Sequence, residues 1–243
     1  MNKIKYDNDI LQPLREYLGN TVSLFLFALI SIGSTSCSQN NTDNAVVGGD
    51  QSKSKKSQTA SNHTTKKNGK VKFKAAGGTA SFSLKFYEDG LKMLDENEAE
   101  ITRITRTKEG KYKIKDANDR VLGYVTGNTP KFKIKDSSQQ STLFIFQRQQ
   151  DGDWKLETED VGEQLLCKIG KRDYGWKIES ASKKELGKVK NENGRISIRG
   201  ANGNTLFYTN DSFSGIAVVP FTLQQLTKPQ QAALCAALNS ESN

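Results

Sequence analysis

Apolar and polar residues alternate along most of this chain in a pattern that repeats. A bulky apolar residue, a Lys and an aliphatic residue run into a turn at LKMLD (91–95), YKIKD (112–116), FKIKD (132–136), WKLET (154–158) and WKIES (176–180). A weaker copy is RISIR (195–199). Counted from Leu91, Tyr112, Phe132, Trp154, Trp176 and Ile196, the steps are 21, 20, 22, 22 and 20 residues. A period of two marks a strand buried on one face. Each unit passes through turn-forming residues (DENE, DANDR, DSSQQ, TEDVG, SASKK, GANGN) into a second alternating run (EITRI, VLGYV, TLFIF, QLLCKI, ELGKV, TLFYT). Six successive hairpins predict twelve strands.

Strand signals also precede the first unit, at VKFKA (71–75) and ASFSLKFY (80–87), separated by Gly77-Gly78. In the clearest unit Tyr112, Ile114, Leu122 and Tyr124 share one parity and Lys111, Lys113 and Lys115 the other. One face therefore packs inward and the other turns a row of Lys to water, where Lys also discourages edge-to-edge pairing. An aliphatic anchor recurs ten residues into the units, at Ile101, Leu122, Leu186 and Leu206. It slips by one to Leu143 and Leu165, which predicts a longer turn or a bulge in the third and fourth units.

The period changes near the end. FTLQQLTKPQQAALCAAL (221–238) has helical spacing and strong helix formers. Thr227 with Gln230 makes a capping box, and Pro229 sits in the first turn, where a missing N–H costs nothing. From Gln230 onward the segment is apolar on nearly every face, and such a helix is buried in protein or lipid. The expected fold is mainly β: a roughly twelve-stranded closed antiparallel barrel of repeated hairpins, over 71–239, enclosing an apolar C-terminal helix at 221–239.

Hairpins such as YKIKDANDRVLGYV, followed by LTKPQQAALCAAL, resemble the tubby C-terminal-like superfamily, which includes the LURP-one-related proteins and the phospholipid scramblases. The resemblance covers about 80–239 and rests on pattern and order. It implies a twelve-stranded barrel around a central C-terminal helix. It also implies lipid as a partner, since tubby proteins bind phosphoinositide headgroups through basic residues and scramblases use calcium and a membrane helix. Neither set of residues is matched position by position here, so no binding residue is singled out.

Composition changes this picture mainly at the N-terminus. The net charge is +9 over 243 residues. Residues 38–70 hold six Lys against Asp43 and Asp50, and the chain from 71 onward holds 27 Lys and Arg against 22 Asp and Glu. A basic excess on exposed strands suits solvation, or an anionic lipid or envelope polymer. Lys3, Lys5 and Arg15 precede an apolar core, VSLFLFALISI (22–32), and small residues lead into Cys37. That core is too short to span a bilayer and reads as an export signal. Residues 1–36 resemble a bacterial lipoprotein signal, with Cys37 as the lipidated first residue. Ser34 stands where that family prefers Leu, and Asp7, Asp9 and Glu16 are unusual there, so a cleaved secretory signal or an uncleaved anchor stays open. The rest of 37–70 has almost nothing to bury and reads as a disordered polar tether. Export removes nucleic acid from the expected partners.

Candidate chemistry is sparse. The only His, His63, lies in the tether, so the barrel has no His for a nucleophilic triad or a His-ligated metal. No phosphate-binding loop is present; GANG (200–203) reads as a turn. Asp116, Asn118 and Asp119 have ligand-type oxygens in a turn whose residues suit hairpin closure. The pairs Asp151/Asp153 and Glu157/Glu159 read as solvated, a carboxylate hydrolase being the alternative. Cys167 and Cys235 read as buried thiols or as a disulfide between wall and helix. Trp154 and Trp176 read as core, or as an aromatic rim at a membrane or ligand pocket. The expectation is a membrane-anchored, non-enzymatic lipoprotein facing the periplasm or exterior. It needs no cofactor or metal, holds the membrane through Cys37, and binds lipid or an envelope component; scramblase-like lipid handling is the alternative.

Overall fold

A computed structural model describes residues 69–108, 110–159 and 162–241. The signal expected at 1–36, Cys37 and His63 lie outside the described residues, as does the tether expected from 37, up to residue 68. Among the described residues fourteen strands form one closed antiparallel barrel. They are β1 (Gly69–Ala75), β2 (Ala80–Tyr87), β3 (Gly90–Asp95), β4 (Glu100–Lys108), β5 (Lys111–Asp116), β6 (Val121–Asn128) and β7 (Lys131–Lys135). The second half is β8 (Thr142–Arg148), β9 (Trp154–Thr158), β10 (Leu165–Arg172), β11 (Gly175–Ser180), β12 (Glu185–Glu192), β13 (Arg195–Gly200) and β14 (Thr205–Thr209). Every strand pairs with its chain neighbours, and β1 closes the ring on β14 through Lys74↔Tyr208 and Ala75↔Phe207. The expected twelve strands are β3–β14. The early signals at 71–75 and 80–87 add a seventh hairpin to the same sheet, because β1 supplies the partner that β14 would otherwise lack.

The repeat builds the inner wall. Leu91, Tyr112, Phe132, Trp154 and Ile196 are buried, as are Met93, Ile114, Ile134, Leu156, Ile178 and Ile198 two residues on. The intervening Lys92, Lys113, Lys133, Lys155 and Lys177 point outward. This apolar-in, charged-out arrangement is the reverse of a membrane-spanning barrel, whose outer band is apolar. No helix among the described residues is long and apolar enough to cross a membrane.

The turns that end the repeat units share one geometry. In β3–β4 the Asp95 N–H donates to Ala99 O and Glu98 N–H to Asp95 O; β5–β6 and β11–β12 repeat the scheme, and in β7–β8 the Asp136 N–H donates one residue further on, to Ser141 O. A residue of positive φ stands in each of the seven turns at this end, the third after the strand at Gly78, Glu98, Asp119, Lys183 and Gly203 and further along at Gln139 and Glu163. That conformation forces a bulge. The register slips in all seven hairpins, beyond the third and fourth units where a bulge was expected.

The bulge also changes parity. Val125 pairs with Tyr112 inside the barrel, while Tyr124 pairs with Lys113 outside, contrary to simple alternation. Tyr124 is nonetheless buried on the outer face, with Lys111 Nζ 5.1 Å above its ring. The recurring anchor moves for the same reason. Ile101, Leu122 and Leu186 pack against the core, but Phe144, Leu166 and Phe207 do so in place of Leu143, Leu165 and Leu206.

Eight-stranded barrels are filled by their own side chains, whereas wider ones need a filler or enclose a channel. Here the filler is the C-terminal segment. It runs through α1 (Gly215–Val218) and a 3-10 turn (Val219–Thr222), and it returns as α2 (Lys228–Ser240). The helix expected at 221–239 is thus two pieces, with Leu223–Thr227 between them. The capping box forms as expected, Thr227 N–H donating to Gln230 Oε1 at 2.9 Å. Gln231 Nε2 ties the return to the helix, donating to Leu223 O (2.9 Å) and Leu226 O (3.1 Å). Gln231 through Asn239 are all buried, a run that covers every face of the helix. One side of α2 meets β3–β7, and the other meets α1 and the 3-10 turn, which reach β11–β13. Ala232, Ala233, Ala236 and Ala237 keep the helix slender enough for this shared lumen.

Candidate binding site

Two surfaces stand out, one on the outer wall and one at a mouth of the barrel. On the wall, pairing aligns cations from five successive strands: Lys70↔Lys85↔Lys92↔Arg103↔Lys115. Neighbouring strands lie about 4.8 Å apart, and like charges directly opposed destabilise a sheet. Carboxylates relieve part of this. Lys70 pairs with Glu98, Lys92 with Glu100 (2.7 Å), and Arg103 with Glu100 (2.9 Å) and Asp119 (3.2 Å). Lys115 also reaches Asp119, at 3.3 Å. The Lys70 ammonium, hydrogen-bonded to Glu98, holds that carboxyl below its usual range, and Glu100 holds the Arg103 guanidinium above its own.

Lys85, the second cation of the row, has no carboxylate partner among the described residues; its ammonium lies 5.4 Å over the exposed Tyr87 ring. Tyr87 divides two recesses. One of about 580 Å³ includes Lys70 and Lys85, and one of about 340 Å³ includes Lys92 and Arg103. A shorter row, Lys177↔Lys188↔Arg199, is matched by Glu179, Glu185 and Glu192. Edge protection does not account for the first row, because a closed barrel has no free edge.

The mouth lies at the end of the barrel where β1 begins and α2 ends. A pocket of about 370 Å³ opens there among the β6–β7 and β8–β9 turns, the tips of β9–β11, α1 and the last turn of α2. Its apolar floor is Trp154, Trp176, Ile216 and Leu238, and its rim is Thr129, Arg148, Asp151, Gly152, Lys171 and Glu241. Trp154 is held by stacking on Phe146 (4.9 Å) and Phe132 (6.3 Å). Trp176 is half-buried above Gly215, where an added Cβ would lie 3.6 Å from its Nε1.

The β8–β9 loop is braced from within. Gln149 N–H donates to Asp153 O (2.7 Å), Asp153 N–H to Asp151 Oδ1 (3.0 Å), and Lys171 N–H to Asp153 Oδ1 (2.9 Å). The C-terminal end of α2 brings partial negative charge to this rim. Arg148 and Lys171, exposed and without a carboxylate partner among the described residues, stand around it.

Both tryptophans therefore line one pocket, Trp154 as core and Trp176 as wall. Asp151 stands on the rim of the same pocket, and the other sequence candidates separate. Asp116 Oδ1 accepts the N–H groups of Asn118 (3.0 Å) and Arg120 (2.9 Å), so it closes its turn, and Asp119 pairs with Arg103 and Lys115. Glu157 pairs with Lys155 and Glu159 with Lys133, while Asp151 and Asp153 brace their loop. Cys167 and Cys235 are free, buried thiols; burial pushes Cys167 up to about 12 and raises Cys235 as well. Among the described residues no three His, Cys, Asp or Glu side chains gather as metal ligands.

Arg148 and Lys171 carried no signal in the sequence, and the cation row is invisible until the register is known. No family model, no curated protein and no solved structure matches this chain.

Proposed function

We propose that this chain is a non-enzymatic binding module of the bacterial envelope, held on a membrane by lipid at Cys37 and engaging anionic lipid or polymer through its outer wall. The observation that carries the reading is the row Lys70–Lys85–Lys92–Arg103–Lys115, five opposed cations whose mutual repulsion an anionic partner would relieve. The exposed Tyr87 beside Lys85 adds an aromatic platform. A barrel around an apolar helix supports the tubby-like resemblance, although that family has twelve strands.

The test uses the full chain with Cys37→Ala, which removes the acylation site and leaves the barrel intact. Flotation on anionic vesicles should exceed that on neutral ones and fall with salt, and a soluble anionic polysaccharide should compete if it shares the site. Lys85→Glu changes the local charge by two units, worth about 2 kcal/mol near an anionic surface, or roughly thirty-fold in affinity. Equal flotation on neutral and anionic vesicles would sink the electrostatic reading. Mass spectrometry of the mature N-terminus separately tests the lipid on Cys37.

A further inference from the structure

We infer that the mouth pocket binds a sugar ring of a neutral saccharide, at a site separate from the cation row and independent of it. The wall and rim have the mixed character that a polyhydroxylated ring requires. A hydroxyl both donates and accepts, so it is best held by groups of both kinds. Arg148, Lys171 and Thr129 offer donors, and Asp151 and Glu241 offer acceptors, around one opening. The paired signs argue against a simple anion site, since two carboxylates and a helix C-terminus offset the two cations.

The apolar side of the pocket supplies the other half of the recognition. Trp176 is half-buried and presents an aromatic surface on which the C–H face of a pyranose can lie. Its neighbour Trp154 is fixed by two phenyl rings, and the β8–β9 loop by its own hydrogen bonds, so little ordering remains to be done on binding. The size agrees as well. About 370 Å³ is the volume of roughly a dozen waters at about 30 Å³ each, room for one hexopyranose ring together with waters that bridge it to the rim.

The chain contains two Trp and both line this pocket, so intrinsic fluorescence reports on the site directly. The full chain, in a polyoxyethylene detergent free of sugar, is titrated with a panel: glucose, mannose, galactose, N-acetylglucosamine and their di- and trisaccharides. Inorganic phosphate and phosphocholine are the controls. At least one saccharide should give a saturable change at or below about 10 mM, the weak end of the measurable scale.

Asp151→Asn keeps the Oδ1 that accepts the Asp153 N–H, and Arg148→Gln alters an exposed side chain, so both variants should stay folded by circular dichroism. Each should weaken saccharide binding about tenfold, and Trp176→Ala should do so with Trp154 left as reporter. The proposal is overturned if no saccharide in the panel gives a saturable change. It is equally overturned if phosphate or phosphocholine binds in place of sugar, or if the folded Asp151→Asn and Arg148→Gln variants bind as the parent does.

Discussion

Replacing Gly123 or Gly187 by Ala should destabilise the barrel although neither glycine needs positive φ. The two occupy equivalent places in the repeat, Gly123 opposite Ile114 and Gly187 opposite Ile178, each beside a register slip. A Cβ on Gly123 would lie 2.6 Å from Lys135 O, and one on Gly187 would lie 2.6 Å from Arg199 O. An ordinary carbon–oxygen approach is about 3.3 Å, so the overlap is about 0.7 Å. The oxygen belongs to the backbone of the next strand and cannot swing aside. Relief requires β6 to move from β7, or β12 from β13, against the ladder that closes the ring. Overpacking of this kind costs about 1–3 kcal/mol. For a domain of this size each kcal/mol lowers the melting temperature by about 2–4 °C, so the midpoint should fall by roughly 2–12 °C. Differential scanning calorimetry of the two variants measures this. Gly77→Ala serves as control, because nothing lies within 4 Å of its added Cβ, and it should leave the midpoint unchanged or slightly raised. Melting of Gly123→Ala and Gly187→Ala at or above the parent temperature would refute the close strand approach.

Two further outcomes follow from the charged and thiol groups. Hydrogen bonds from Lys133 and Thr142 hold the Glu159 carboxyl below its usual range, and Lys177 and Lys190 do the same for Glu179 and Glu192. A carboxyl whose folded value is depressed stabilises the fold above its unfolded value, near 4.3, and loses that contribution as pH falls through the folded value. The urea midpoint should therefore drop below about pH 4.3, and Glu159→Gln should make the drop shallower; an unchanged pH profile in that variant would count against the Lys133 contact. Cys167 and Cys235 are buried with raised thiol values, so peptide mapping after thiol labelling at pH 8 should find both unmodified in the native protein and modified in urea. Labelling of either under native conditions, or a Cys167–Cys235 disulfide in the unreduced digest, would contradict the packing of wall and helix.

Much of the fold was legible because its determinants are local. The alternation at Tyr112, Lys113 and Ile114 needs only the period of a strand, and Asp116 closes a turn with amides two and four residues on. The capping box at Thr227 and Gln230 lies within four residues. Tyr124 was misplaced because parity read along the sequence does not register a bulge, and the bulge is created by Asp119 at positive φ. The candidate site was barely legible. Trp154, Trp176 and Asp151 were visible as residues, but they meet one another and Arg148, Lys171 and Glu241 only where separate strand ends and the end of α2 converge.

By itself, then, the sequence determined the strands, their hairpins, the inward and outward faces of the repeat and the buried character of the last helix. These follow from backbone period, turn chemistry and hydrophobicity, which act over a few residues. Only the tertiary structure decided that β1 would join β14, that fourteen strands would close around the returning C-terminal segment, and that five cations would stand in one row. Those outcomes depend on register and ring closure, which are set by contacts between residues far apart in the chain.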